Sequence, residues 1–135
     1  MKLLVIIFSL MMINISFASE QEGGIHTENF CSVDNTCAHA RFEAFPTTSV
    51  MSEFIIHLIP SSSNSSITNV SAKLWMDMGH GHGHGSAPLE VKTMSEANHY
   101  FVSNAWFVMT GPWNILVSFE VNGVAQNITI PLEIK

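Results

Sequence analysis

Basic residues are scarce in this chain. Five Lys and Arg stand against eleven Asp and Glu in 135 residues, and the formal net charge is −6 with His neutral. Nucleic-acid binding rests on Lys and Arg neutralising phosphates, so that class is excluded, and an anionic membrane surface is disfavoured for the same reason. Cysteine is nearly absent: Cys31 and Cys37 are the only two. A blue-copper electron-transfer site needs Cys beside His and Met in a C-terminal loop, and no Cys follows Cys37. No Gly-x-Ser-x-Gly, His-Glu-x-x-His or phosphate-binding glycine loop occurs, and the acidic residues are scattered rather than paired. There is thus no nucleophile elbow, zinc-protease helix or general acid/base pair to nominate, and the chain reads as a binder rather than an enzyme. Apolar runs are short after the first eighteen residues, none approaching the roughly 20 residues that a membrane-spanning helix requires.

The one long apolar run, residues 3–13, follows Met1 and Lys2 and leads into Ser16-Phe17-Ala18, with small residues at the two positions a signal peptidase reads. A signal peptide at residues 1–18, cleaved after Ala18, is predicted. Asn14 and Ser16 break the run before it reaches anchor length, and no Cys at the cleavage point marks a bacterial lipoprotein. Removing 18 of 135 residues leaves 117, a size suited to one domain with one core. Loss of Lys2 leaves four basic residues (Arg41, Lys73, Lys92, Lys135) against eleven acidic ones, a net charge of −7. Such a balance is compatible with attracting cations, and seven His in so short a chain are the more telling excess.

Cys31 and Cys37, in an oxidising compartment, are expected to form a disulfide. Closing so small a loop contributes only about 2 kcal/mol on the chain-entropy model, enough to staple the N-terminal segment. The five-residue gap is not that of a thioredoxin-like pair, and no His follows Cys37 as haem attachment would need. Ligation of a soft metal by the thiolates stays open only for the reduced pair. Residues 19–37, polar at first and containing Gly23-Gly24 without periodicity, are read as a flexible lead-in carrying the Cys pair.

From residue 38 the pattern is that of strands. Ala38, Ala40, Phe42 and Ala44 alternate with His39, Arg41, Glu43 and Phe45; Val70, Ala72, Leu74 and Met76 share a parity, as do Ile128, Ile130, Leu132 and Ile134. Strands are predicted at 38–45, 54–59, 67–78, 89–94, 100–108, 113–121 and 126–134, with a Ser/Asn loop at 61–66 and a two-residue hairpin at Asn122-Gly123. Pro131 requires an edge position or a bulge, because proline cannot donate to the ladder. About seven short strands without helical periodicity predict an immunoglobulin-like antiparallel β-sandwich over residues 38–135, with a closed barrel as the alternative.

The segment with chemistry is Leu74-Trp75-Met76-Asp77-Met78-Gly79-His80-Gly81-His82-Gly83-His84-Gly85. Met76, Met78, His80, His82 and His84 recur every second residue, so an extended backbone projects all five to one side. Thioether sulfur suits Cu(I) and imidazole suits Cu(II), Zn(II) and Ni(II), so the mixed set favours copper. Interleaved glycines let the segment fold back so that neighbouring imidazoles reach one ion. Against this, Met76 and Met78 end a strand and could be core, since Met fills irregular gaps, and a Gly-His run can be a polar loop that binds divalent metals weakly. Asp77, on the opposite parity, is a candidate partner behind the ligands. His39, His57 and His99 stand alone in strand-like surroundings and read as structural or surface residues. Met109 and Trp113 read as core, and Trp75 either stacks over the site or faces solvent.

The Met-x-Met-Gly-His segment on a strand, followed by Tyr100-Phe101-Val102 and by Met109-Thr110-Gly111-Pro112-Trp113-Asn114-Ile115, resembles the YtkA-like and FixH-like group of exported or membrane-tethered bacterial domains. By pattern the resemblance covers Arg41 to Ile134. It implies an immunoglobulin-like sandwich, a location in the cell envelope, and a part in copper handling or in assembly of copper-containing respiratory oxidases. It carries over as ligands Met76, Met78 and His80. The extended Gly-His repeat and the Cys pair depart from it and leave open a site richer in imidazole. The expected function is that of an exported, periplasmic copper metallochaperone or buffer, delivering to an envelope protein or respiratory oxidase. The alternative is a non-catalytic envelope interaction module whose His-rich loop is incidental.

Overall fold

The computed structural model describes residues 23–135. The predicted signal peptide and the first residues after it lie outside the described residues. Ten strands follow in order: β1 (Ile25–His26), β2 (Phe30–Cys31), β3 (Cys37–Phe42), β4 (Met51–Ile59), β5 (Ile67–Gly79), β6 (His82–Gly85), β7 (Glu90–Thr93), β8 (His99–Trp106), β9 (Gly111–Val121) and β10 (Val124–Ile134), with no helix among the described residues. They form two antiparallel sheets. One has the order β1-β3-β4-β8-β7, with β2 also on β3, and the other runs β10-β9-β5-β6. The chain is an all-β antiparallel sandwich.

Alternation builds its core. Ala38, Ala40 and Phe42 of β3 and Phe54, Ile56 and Leu58 of β4 face Leu74 of β5, Ile115, Val117 and Phe119 of β9, and Ile128, Ile130 and Ile134 of β10 in one buried cluster. Trp113 is fully buried, meets Phe107 edge-on at 5.6 Å, and donates its indole N–H to the Met109 carbonyl at 2.9 Å. That bond spares a polar atom the cost of burial without a partner.

All seven predicted strands are present, with ends moved by a few residues. Asn122 and Gly123 both have positive φ, 50° and 81°, and join β9 to β10 as the hairpin chemistry requires. Pro131 lies on β10, the edge of its sheet. Two expectations need correction. The stretch read as a flexible lead-in is, from Ile25 on, part of the first sheet: Ile25 and His26 pair with Phe42 and Arg41, and Phe30 and Cys31 pair with Ala38 and Cys37. Strands of two residues carry too little alternation to be seen in sequence. The Gly-His run, read as a loop, forms β6.

Cys31 and Cys37 are bonded, each the other's partner in the β2–β3 register. The turn between them is organised by Asp34, whose carboxylate accepts from the Ser32 hydroxyl, from the Thr36 N–H at 3.0 Å and from the Thr36 hydroxyl at 3.1 Å. These bonds, that from Ser32 foremost, hold its pKa below the ordinary carboxylate value.

Candidate metal centre

The five candidate ligands sit on one hairpin at the edge of the second sheet. β5 pairs with β9 up to Trp75↔Asn114, and beyond that its partner is β6. The chain reverses at His80-Gly81, between the paired residues Gly79 and His82. His80 and Gly81 have φ of 52° and 76°, the left-handed pair that a tight two-residue hairpin demands. Glycine adopts that conformation without cost and histidine at a modest one. The Asp77 carboxylate accepts the Gly79 N–H at 2.9 Å and so shapes the approach to the turn. Asp77 therefore serves the backbone of the site.

Hairpin register decides which ligands meet. Met76 lies directly opposite His84, and residues opposite each other in an antiparallel pair project to the same face. Met78 is the extra residue of a bulge between the Asp77↔Gly83 and Gly79↔His82 pairs, on the parity of Met76, while His82 shares the parity of His84. Met76 and His84 thus share a face, while Met78 sits in the bulge and His82 pairs with Gly79 beside the turn. His80 does not continue the row, because the chain turns there; it stands at the tip.

Depth separates the two methionines. Met76 is 4% exposed and belongs to the core cluster, its methyl lying against Gly111, where a Cβ would come within 3.2 Å of it. Met78 is 53% exposed, and His80, His82 and His84 are exposed as well. Of the two readings of Met76 drawn from the sequence, the core one holds, and its cross-strand partner is His84. Met109 packs against the core, and its carbonyl carries the Trp113 bond.

Trp75 occupies the opposite face. Its ring lies across Gly83 so closely that a Cβ there would collide with Cζ2 and Cε2, and it reaches Gly85 beyond. The Gly-His alternation is thereby explained from both sides: imidazoles on the ligand face, and bare backbone under an indole on the other. Among the described residues no group of three or more His, Cys, Asp or Glu is drawn together closely enough to hold a metal ion.

No protein-family model matches the chain, and no curated protein and no solved structure is significantly similar to it.

The three histidines that looked solitary in sequence, His39, His57 and His99, are neighbours on the outer face of the first sheet. Their outward parity was legible; the register that aligns them was not, since it depends on loops of different length between β3, β4 and β8.

Proposed function

We propose that this chain is an exported copper-binding protein, a carrier or buffer of the cell envelope, holding the ion on the β5–β6 hairpin through Met76 and Met78 with His82 and His84, and His80 at the tip. The observation that carries this reading is the register that sets Met76 opposite His84, with a second thioether, Met78, in the adjoining bulge. A soft sulfur pair next to imidazoles suits copper in both oxidation states, whereas a zinc site has no use for methionine. Met78, exposed, is the sulfur that an ion arriving from solvent meets first; Met76 lies beneath it. The imidazoles alone form no three-donor cluster among the described residues, and the reading adds the two thioethers to them as ligands. The resemblance to the YtkA-like and FixH-like group, carried by Met76, Met78 and His80, points the same way and suggests a copper-receiving envelope protein or respiratory oxidase as the destination.

The test is an anaerobic Cu(I) titration against a competing chromophoric chelator, using the chain from Ser19 onward and its Met76→Leu/Met78→Leu variant. One tightly held equivalent that disappears in the variant is the expected result. Equal competition by the two proteins, or none by either, would return both methionines to packing and leave an interaction module with a histidine hairpin.

A further inference from the structure

Four of the seven histidines lie outside the hairpin, and they form a row. His26 on β1, His39 on β3, His57 on β4 and His99 on β8 come from four consecutive strands of the first sheet. His39 is the direct cross-strand partner of His57, and His57 that of His99. Ring centroids are 5.4 Å apart for His26 and His39, 5.2 Å for His39 and His57, and 4.0 Å for His57 and His99. The buried neighbours Ala38, Ala40, Ile56, Leu58 and Tyr100 fix the parity, so the row stands on the outward face, away from the core and on the other sheet from the hairpin.

We infer that this row is a second metal site, centred on His57 with His39 and His99 on either side, that takes a borderline divalent cation such as Zn(II) or Cu(II). Imidazole nitrogens bind such ions at about 2.0–2.1 Å, so two rings sharing an ion have centroids roughly 4–6 Å apart. The row has that spacing, with His57 edge-on to His39 at 86° and stacked on His99 at 14°, so the His99 ring must turn before both aim a nitrogen at one ion. The tautomers agree. His39 Nδ1 lies 3.0 Å from the Asn29 Oδ1 and His99 Nδ1 lies 2.9 Å from the Ala97 carbonyl. Each oxygen can only accept, so Nδ1 carries a proton and, in the neutral ring, the lone pair is on Nε2. Metal-bound histidines are held in this way, with the second nitrogen donating to an oxygen behind the ring.

Charge favours the His99 end. The Glu96 carboxylate lies 3.5 Å from His99 Nε2, whereas Arg41, a cation with partners of its own, lies opposite His26. In the present rotamers no three donors converge. Closing the site needs rotation of the rings about their Cβ–Cγ bonds, which half-buried side chains on an open sheet face can make.

The site is separated from the hairpin by substitution. In a chain carrying His80→Asn, His82→Asn and His84→Asn, Zn(II) is titrated calorimetrically and followed by the imidazole resonances of the remaining histidines. One equivalent of Zn(II) is expected to bind, shifting His39, His57 and His99 together. Adding His57→Gln should weaken binding by more than roughly tenfold, and Asn29→Ala, which removes only the oxygen behind His39, by about tenfold. Both variants should keep the circular dichroism of the parent, because both positions lie on the outer surface. Failure of the hairpin variant to bind Zn(II), or unchanged binding after His57→Gln, overturns the proposal, and neither result bears on Cu(I) at the methionines.

Discussion

The indole of Trp75 lies flat across Gly83 on the neighbouring strand, filling the space where a side chain would stand. The contact makes the hairpin two-faced, with Met76 and His84 on one side and an aromatic plate on the other. It also separates two glycines that look alike in sequence. A Cβ at Gly83 meets the ring and the Met76 carbonyl, while a Cβ at Gly85 has nothing nearer than the Leu74 carbonyl at 3.7 Å. Gly83→Ala is expected to cost about 1–3 kcal/mol by overpacking, with an altered near-ultraviolet signal from the displaced indole. Gly85→Ala should stay within about 0.5 kcal/mol of the parent. Urea denaturation of the two variants makes the comparison, and equal effects would mean that the ring does not rest on Gly83.

A pH dependence follows from the disulfide turn. Asp34 is held below its ordinary value of 3.8 by the Ser32 hydroxyl first, with the Thr36 N–H and hydroxyl adding to it. A carboxyl group whose acidity is strengthened by folding stabilises the native state above its unfolded value, and that contribution is lost as pH falls through the folded one. Asp34→Asn should therefore lower the melting temperature near neutrality, and the difference should fade as pH drops below 3.8 through the folded value. Because the group lies at the surface, the effect is small. A gap between parent and variant that persists unchanged at low pH would assign the loss to the turn's shape instead of its charge.

What the sequence disclosed was parity, and what it withheld was register. Ala38, Ala40 and Phe42, or Ile128, Ile130 and Leu132, announce a buried face without any knowledge of the partner strand, because a half-buried strand alternates whatever it pairs with. The Asn122-Gly123 turn and the edge position of Pro131 were legible for equally local reasons. The candidate row was legible only in part. Continuous alternation placed five candidate ligands on one side, yet positive φ at His80 and Gly81 turns the chain back, so that His84 returns to face Met76. The contact is made across strands, and His80 is set apart from it. Nothing local connects His39, His57 and His99 either; their row exists because β3, β4 and β8 align at those residues. The short strands β1 and β2 were invisible, since two residues have no period.

The two methionines can be told apart by measuring stability and copper affinity on the same variants. Met78 is exposed beyond the end of the β9 pairing, so Met78→Leu should change folding free energy by no more than about 0.5 kcal/mol. Met76 is 4% exposed and packed against Gly111. Met76→Leu, close in volume, should cost less than about 1.5 kcal/mol, and Met76→Ala about 2–5 kcal/mol through the cavity it leaves. If both sulfurs serve the ion, each leucine variant loses Cu(I) affinity although only the Met76 series loses stability. Stability then reports the packing, and affinity reports the sulfur. An unaltered Cu(I) affinity in Met76→Leu, beside a clear loss in Met78→Leu, would confine the soft ligand to the exposed residue and leave Met76 as the floor beneath it. Loss of affinity in Met76→Ala alone would not count as ligation, because the cavity can move the whole hairpin; the leucine variant, which keeps the volume and removes the sulfur, is the deciding one.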